Sequence, residues 1–101
     1  MGVATKLDSN SGTLYIEVSG RFDFGVHQQF RDATNLTDQG VKIIEVDLAQ
    51  TDYLDSSALG MLLVLRDKVG ENKSAVRINN AKPEVRKILE IANFDKLFTL
   101  G

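Results

Sequence analysis

The chain contains no cysteine and no tryptophan, and only one proline and one histidine among its 101 residues. Without cysteine there are no disulfides, zinc ribbons or thiol nucleophiles. A serine hydrolase would need a base, and His27 is the single histidine on offer; the Gly-x-Ser-x-Gly elbow is missing as well. Next to Val26 and Phe30, His27 reads as an exposed helix residue. Long apolar runs are also lacking. The longest, Ala58 to Leu65, includes Gly60 and falls far short of the ~20 residues a bilayer span needs. Met1 to Asn10 lack the charged-then-apolar pattern of a signal peptide, so the expected location is the cytoplasm, with no direct membrane insertion. Nor is there an excess of positive charge. Lys plus Arg is 12 against 14 Asp plus Glu, which gives phosphate backbones no sequence-wide attraction and argues against nucleic acid. Neither phosphate-cradling glycine pattern occurs, so no nucleotide cofactor is implied.

What remains is an ordinary globular composition, 43% hydrophobic and 26% charged. It is enough for one core and one domain over residues 1–101. The charge is unevenly placed. Residues 1–55 carry nine acids against four bases, and residues 56–101 carry eight bases against five acids. Asp47, Asp52 and Asp55 stand close together with no base among them.

Thr13 to Ser19 alternates, with Leu14, Ile16 and Val18 on one face, and reads as a half-buried strand. Val3 to Leu7 is a weaker strand, and Ser9-Asn10-Ser11-Gly12 has the chemistry of a hairpin turn between them. After a loop over Gly20 to Gly25, Val26, Phe30 and Ala33 share one face of a short helix. Val41 to Leu48 is apolar enough for a central strand. Ala49 to Leu54 reads as a polar connection. Asp55-Ser56-Ser57 is helix-start chemistry before the aliphatic run, and that helix is expected to close near Gly70. Ala75 to Ile78 fits another strand, followed by an Asn79-Asn80 turn. Pro83 suits the first turn of a third helix with Val85, Ile88, Leu89 and Ala92 in one stripe. Phe94, Leu97, Phe98 and Leu100 close the chain, with room for a short last strand. Strands alternating with helices call for parallel pairing, and the opening hairpin makes the sheet mixed. The expected class is α/β, a mixed sheet of four or five strands with helices packed mainly on one face.

The stretch from Val46 to Leu63 carries the chemistry. It runs from a strand through an acidic loop to two hydroxyls at a helix N-terminus, where free backbone N–H groups and the helix dipole tolerate an anion. A serine there can cap the helix or carry a phosphate. Gly60 costs about 1 kcal/mol relative to alanine inside a helix. It implies close approach of a partner backbone or tight packing against the sheet. The carboxylates Asp23, Asp47, Asp52 and Asp55 could suggest Mg²⁺ and a phospho-aspartate receiver, but a receiver does not open on two strands; no metal is expected. Lys82, Arg86 and Lys87 read as a solvated helix face rather than a docking patch.

Asp55-Ser56-Ser57-Ala58-Leu59-Gly60-Met61-Leu62-Leu63, after a Val-Asp-Leu strand, resembles the signature of the anti-sigma factor antagonists, small bacterial STAS-domain proteins. Gly20-Arg21-Phe22-Asp23 is similar to that family's corner after the second strand, and Ala58 departs from its frequent glycine. The resemblance spans nearly the whole chain. It implies a STAS fold and a non-enzymatic partner switch. The unphosphorylated form would bind an anti-sigma factor, often a serine kinase with an ATP-binding fold, and a PP2C-type phosphatase would reverse the modification. Carried onto this chain, the phosphoacceptor is Ser56. Asp23, Asp55, Ser57, Leu59, Gly60 and Met61 are the expected partner-binding residues. A second implied role is an assembly subunit of a phospholipid-trafficking ABC transport complex.

A phosphate on Ser56 would add about −1.5 to −2 charge. Asp55 is adjacent, Asp52 is close behind, and Asp23 would join them if the two loops meet at one sheet edge. The next base along the chain is Arg66, so no arginine is expected near enough to clamp the phosphate. Like charges ~6 Å apart repel by roughly 3 kcal/mol at an effective dielectric near 20, and the helix terminus offsets ~0.3–1 kcal/mol of that.

Overall fold

A computed structural model describes residues 2–36, 40–69 and 75–101. Strand β1 (Gly2–Asp8) and strand β2 (Thr13–Phe22) form the expected antiparallel hairpin. A single 3₁₀ turn (Phe24–Val26) leads into helix α1 (His27–Asn35), and then come strands β3 (Ile43–Asp47) and β4 (Thr51–Leu54). Helix α2 (Ser56–Val69), strand β5 (Val76–Asn79), helix α3 (Pro83–Ile91) and strand β6 (Thr99–Leu100) complete the order. The expected close of α2 near Gly70 lies outside the described residues.

The sheet is mixed and six-stranded. Its spatial order is β1-β2-β3-β5-β6, with β4 paired separately to β2. Every pairing except the opening hairpin is parallel. Period-two alternation decides which face is dry. Leu14, Ile16, Val18, Ile44, Val46, Val76 and Ile78 are all buried, while Tyr15, Glu17 and Arg77 on the other face are exposed. The helices supply the other half of the core: Phe30 and Ala33 from α1, Ala58, Met61, Leu62 and Leu65 from α2, and Val85 and Leu89 from α3. Phe94 and Phe98, stacked at 5.1 Å, seal the same cluster from the C-terminal segment.

One expectation is corrected. Residues 51–54 are not a polar connection but strand β4, so the sheet has six strands rather than four or five. Only Thr51 and Leu54 are buried in it, and Asp52 and Tyr53 face water, which gives the segment its loop-like composition. Thr51 is held by its hydroxyl, which donates to the Val18 carbonyl at 2.8 Å. Leu48 to Gln50 bridge β3 and β4 in a tight turn, in which Asp47 Oδ1 accepts from the Ala49 N–H at 2.9 Å.

Strand β2 is therefore long enough to serve two partners in turn. Its first part pairs with β3 and its end pairs with β4, with a register shift between Gly20 and Arg21. Gly20 takes φ +77° at that point, a left-handed conformation that costs glycine little, and donates its N–H to Gln50 O at 2.8 Å. The bulge brings Phe22 alongside Leu54. It thereby sets the corner after β2 beside the start of α2. Among the described residues, no helix is long and apolar enough to cross a membrane.

Candidate functional site

The first turn of α2 is capped by Asp55, not by either serine. Asp55 Oδ1 accepts from the Ser57 N–H at 3.0 Å, from the Ala58 N–H at 3.2 Å and from the Ser57 hydroxyl at 2.6 Å. These are two of the donors a helix start leaves open, plus the neighbouring side chain. The Ser57 hydroxyl, followed by the Ala58 and Ser57 N–H groups and the field of Arg21, holds the Asp55 carboxyl below its ordinary value; partial desolvation works the other way.

That arrangement makes the two serines unequal. Ser57 is half-buried with its hydroxyl committed to Asp55. Ser56 is exposed, and its hydroxyl makes no hydrogen bond to any described residue.

The corner of β2 does meet this turn. The Asp55 N–H donates to Phe22 O at 3.4 Å, which places Asp23 and Asp55 at the same sheet end. Asp23 is itself occupied: Oδ1 accepts from the Gly25 N–H at 2.9 Å and Oδ2 from Arg21 Nε at 3.1 Å. Asp52 is paired with Lys82 across the gap to α3, so its charge is partly offset. The acidic surround is thus thinner than the sequence suggests.

Arg21 adds a base that distance along the chain did not suggest: its charge reaches Asp55 from β2, while the side chain itself is engaged elsewhere. Parallel pairing sets Arg21 opposite Tyr53, and its guanidinium lies 4.3 Å above that ring while its Nε holds Asp23. The Gly-Arg-Phe-Asp corner was visible in the sequence, but its register against β4 was not.

Of the other expected partner-binding residues, Gly60 is exposed, Leu59 is half-buried against the core, and Met61 is buried at 7% exposure. Tight packing does not account for Gly60, since a Cβ built there meets no described atom within 4 Å beyond its chain neighbours and the backbone of its own helix turns. Ser57, Gly60 and Met61 line one wall of an open groove between α1 and α2. Its opposite wall includes Phe24, a residue that sequence reasoning left in a loop. Phe24 stacks on His27 with centroids 5.0 Å apart. Among the described residues, no group of three or more histidines and carboxylates is placed to hold a metal ion.

Residues 4–101 match the STAS domain family. A STAS-domain containing protein of Pseudomonas aeruginosa is 50% identical over 98 residues, covering 96% of this chain and 97% of its own length. BtrV of Bordetella bronchiseptica, named as a candidate anti-sigma factor antagonist, is 28% identical over 64 residues, 63% of this chain and 55% of that protein. The phosphorylated form of the Bacillus cell fate determinant SpoIIAA superposes with a TM-score of 0.74 at 17% identity, over 99% of this chain and 91% of that one. With its mixed sheet, its Asp55-capped helix and a family match that reaches from β1 to the last residue, this chain belongs to the STAS-domain family.

Proposed function

We propose that this chain is an anti-sigma factor antagonist whose hold on its partner is governed by phosphate on Ser56. It is the substrate of a serine kinase and a PP2C-type phosphatase rather than an enzyme itself. The observation that carries the reading is the inequality of the two serines. Asp55 engages the Ser57 hydroxyl and leaves that of Ser56 exposed and free of described partners. Phosphorylating Ser56 therefore breaks no hydrogen bond to a described residue, and phosphorylating Ser57 would remove a ligand of the cap.

The dipole of α2 tolerates the new charge at the helix start, so the fold persists while the surface changes. Asp55, kept ionised by its cap, stands next to the phosphate and adds to the repulsion felt by a partner. Arg21 moderates that repulsion but is already shared between Asp23 and Tyr53. A loss of about 2–3 kcal/mol weakens binding roughly 30- to 150-fold, which is enough for a switch.

The test is the affinity of the purified chain for the anti-sigma factor of the same cell, measured for wild type, Ser56→Ala and Ser56→Asp. Wild type and Ser56→Ala should bind alike, and Ser56→Asp should bind tens of times more weakly. Equal affinities for all three would sink the reading.

A further inference from the structure

The groove between α1 and α2 holds about 550 Å³ and is open to solvent along one side. Its floor is apolar, with Phe30 and Met61 belonging to the core cluster. Its rim carries two large apolar side chains left in water, Phe24 at 70% exposure and Val64 at 57%. Exposed aromatic and aliphatic groups beside a concave apolar floor are the makings of a docking surface rather than of a finished exterior.

Two observations specify the occupant. The first is Gly60, placed in the second turn of α2 at the groove wall. No neighbour inside the molecule requires it to be glycine, because a Cβ would enter open space. A helix bears that cost where another backbone must come close. The second is charge. Among the described residues, Arg31 and Lys68 line the groove, no carboxylate does, and neither cation has an ion pair.

We infer that the groove seats one helix of the partner, with an apolar stripe laid over Gly60 and acidic side chains directed at Arg31 and Lys68. Amphipathic helices are recognised in this way by their spaced apolar anchors. The inference rests on the partner-switch reading and gives it a physical route. Ser57 lines the groove end where α2 begins, and Ser56, one residue earlier, stands exposed at the same helix start within the electrostatic reach of that occupant. An acidic helix is the kind that a phosphate on Ser56 would repel.

The experiment follows backbone amide shifts of the labelled full chain while two probes are added separately. One probe is the purified anti-sigma factor; the other is a synthetic helical peptide with a leucine face and glutamate flanks, run beside its lysine-flanked twin. Both the anti-sigma factor and the glutamate peptide should shift Phe24, His27, Gly60 and Val64, and the lysine peptide should not. Gly60→Leu fills the groove and should weaken both at least about tenfold, and its melting temperature, read in parallel, should not fall. Arg31→Glu with Lys68→Glu should weaken them similarly, and should reverse the preference between the two peptides. Anti-sigma binding that is indifferent to all three substitutions would overturn the groove while leaving the switch intact. No anti-sigma binding by wild type would overturn the reading on which the inference rests. Self-association of the chain through the groove, lost in Gly60→Leu, would also overturn it.

Discussion

Two helices of this molecule start directly after strands of the same sheet, and they start differently. Helix α3 has no side-chain cap. Lys82 stands in extended conformation, Pro83 sets the first turn, Glu84 faces the positive end of the dipole, and the Lys82 side chain ties down Asp52. Helix α2 has a full side-chain cap in Asp55, and then presents a serine that the cap does not use. At α3 the start is set by backbone conformation, the dipole and the Lys82–Asp52 pair. At α2 one hydroxyl is left over, at the end of a groove whose wall contains a glycine the fold does not need. The contrast separates a helix start that is only structural from one that is available for chemistry.

The contrast can be broken most directly at its caps. Asp55→Ala removes an acceptor of three hydrogen bonds and should lower the melting temperature by several degrees, whereas Pro83→Ala should cost only about 0.4–1 kcal/mol through the unfolded chain. Comparable losses from both, in parallel thermal melts, would mean that the two starts are alike after all. A pH series sharpens the same point. The Asp55 carboxyl is depressed in the folded chain, so its stabilising contribution is complete above the ordinary value of 3.8 and is lost as pH falls through the lower folded value. Wild type should therefore lose stability relative to Asp55→Asn on acidification through that range; parallel curves would contradict the cap. The smallest effects distinguish the serines. Ser57→Ala should cost about 1 kcal/mol by denaturant unfolding, and Ser56→Ala should stay within about 0.5 kcal/mol of wild type.

Much of the architecture was readable because its causes are local. Alternation gave β2, the spacing of Val26, Phe30 and Ala33 gave α1, and Pro83 marked α3. Strand β4 was hidden because half of it faces water and its partner β2 lies some thirty residues earlier, so neither hydropathy nor neighbours announce it. The Ser56 motif was legible as a string of residues. The allocation of Asp55 to Ser57 was not, since it depends on which rotamers meet at one oxygen. The roles of Arg21 and Phe24 were illegible for a related reason: they arise from strand register and from the approach of α1 to α2, which sequence distance does not encode. Gly60 was ambiguous between packing and approach until the empty space beside it could be measured.

The central claim is that the free hydroxyl, and not the committed one, takes the phosphate. Site mapping by mass spectrometry, on chain isolated from cells and on chain incubated with its kinase and ATP, tests this most directly. The account predicts phosphate on Ser56, with Ser57 unmodified even in Ser56→Ala. Phosphate on Ser57, or an unmodified chain that still leaves its partner, would contradict it.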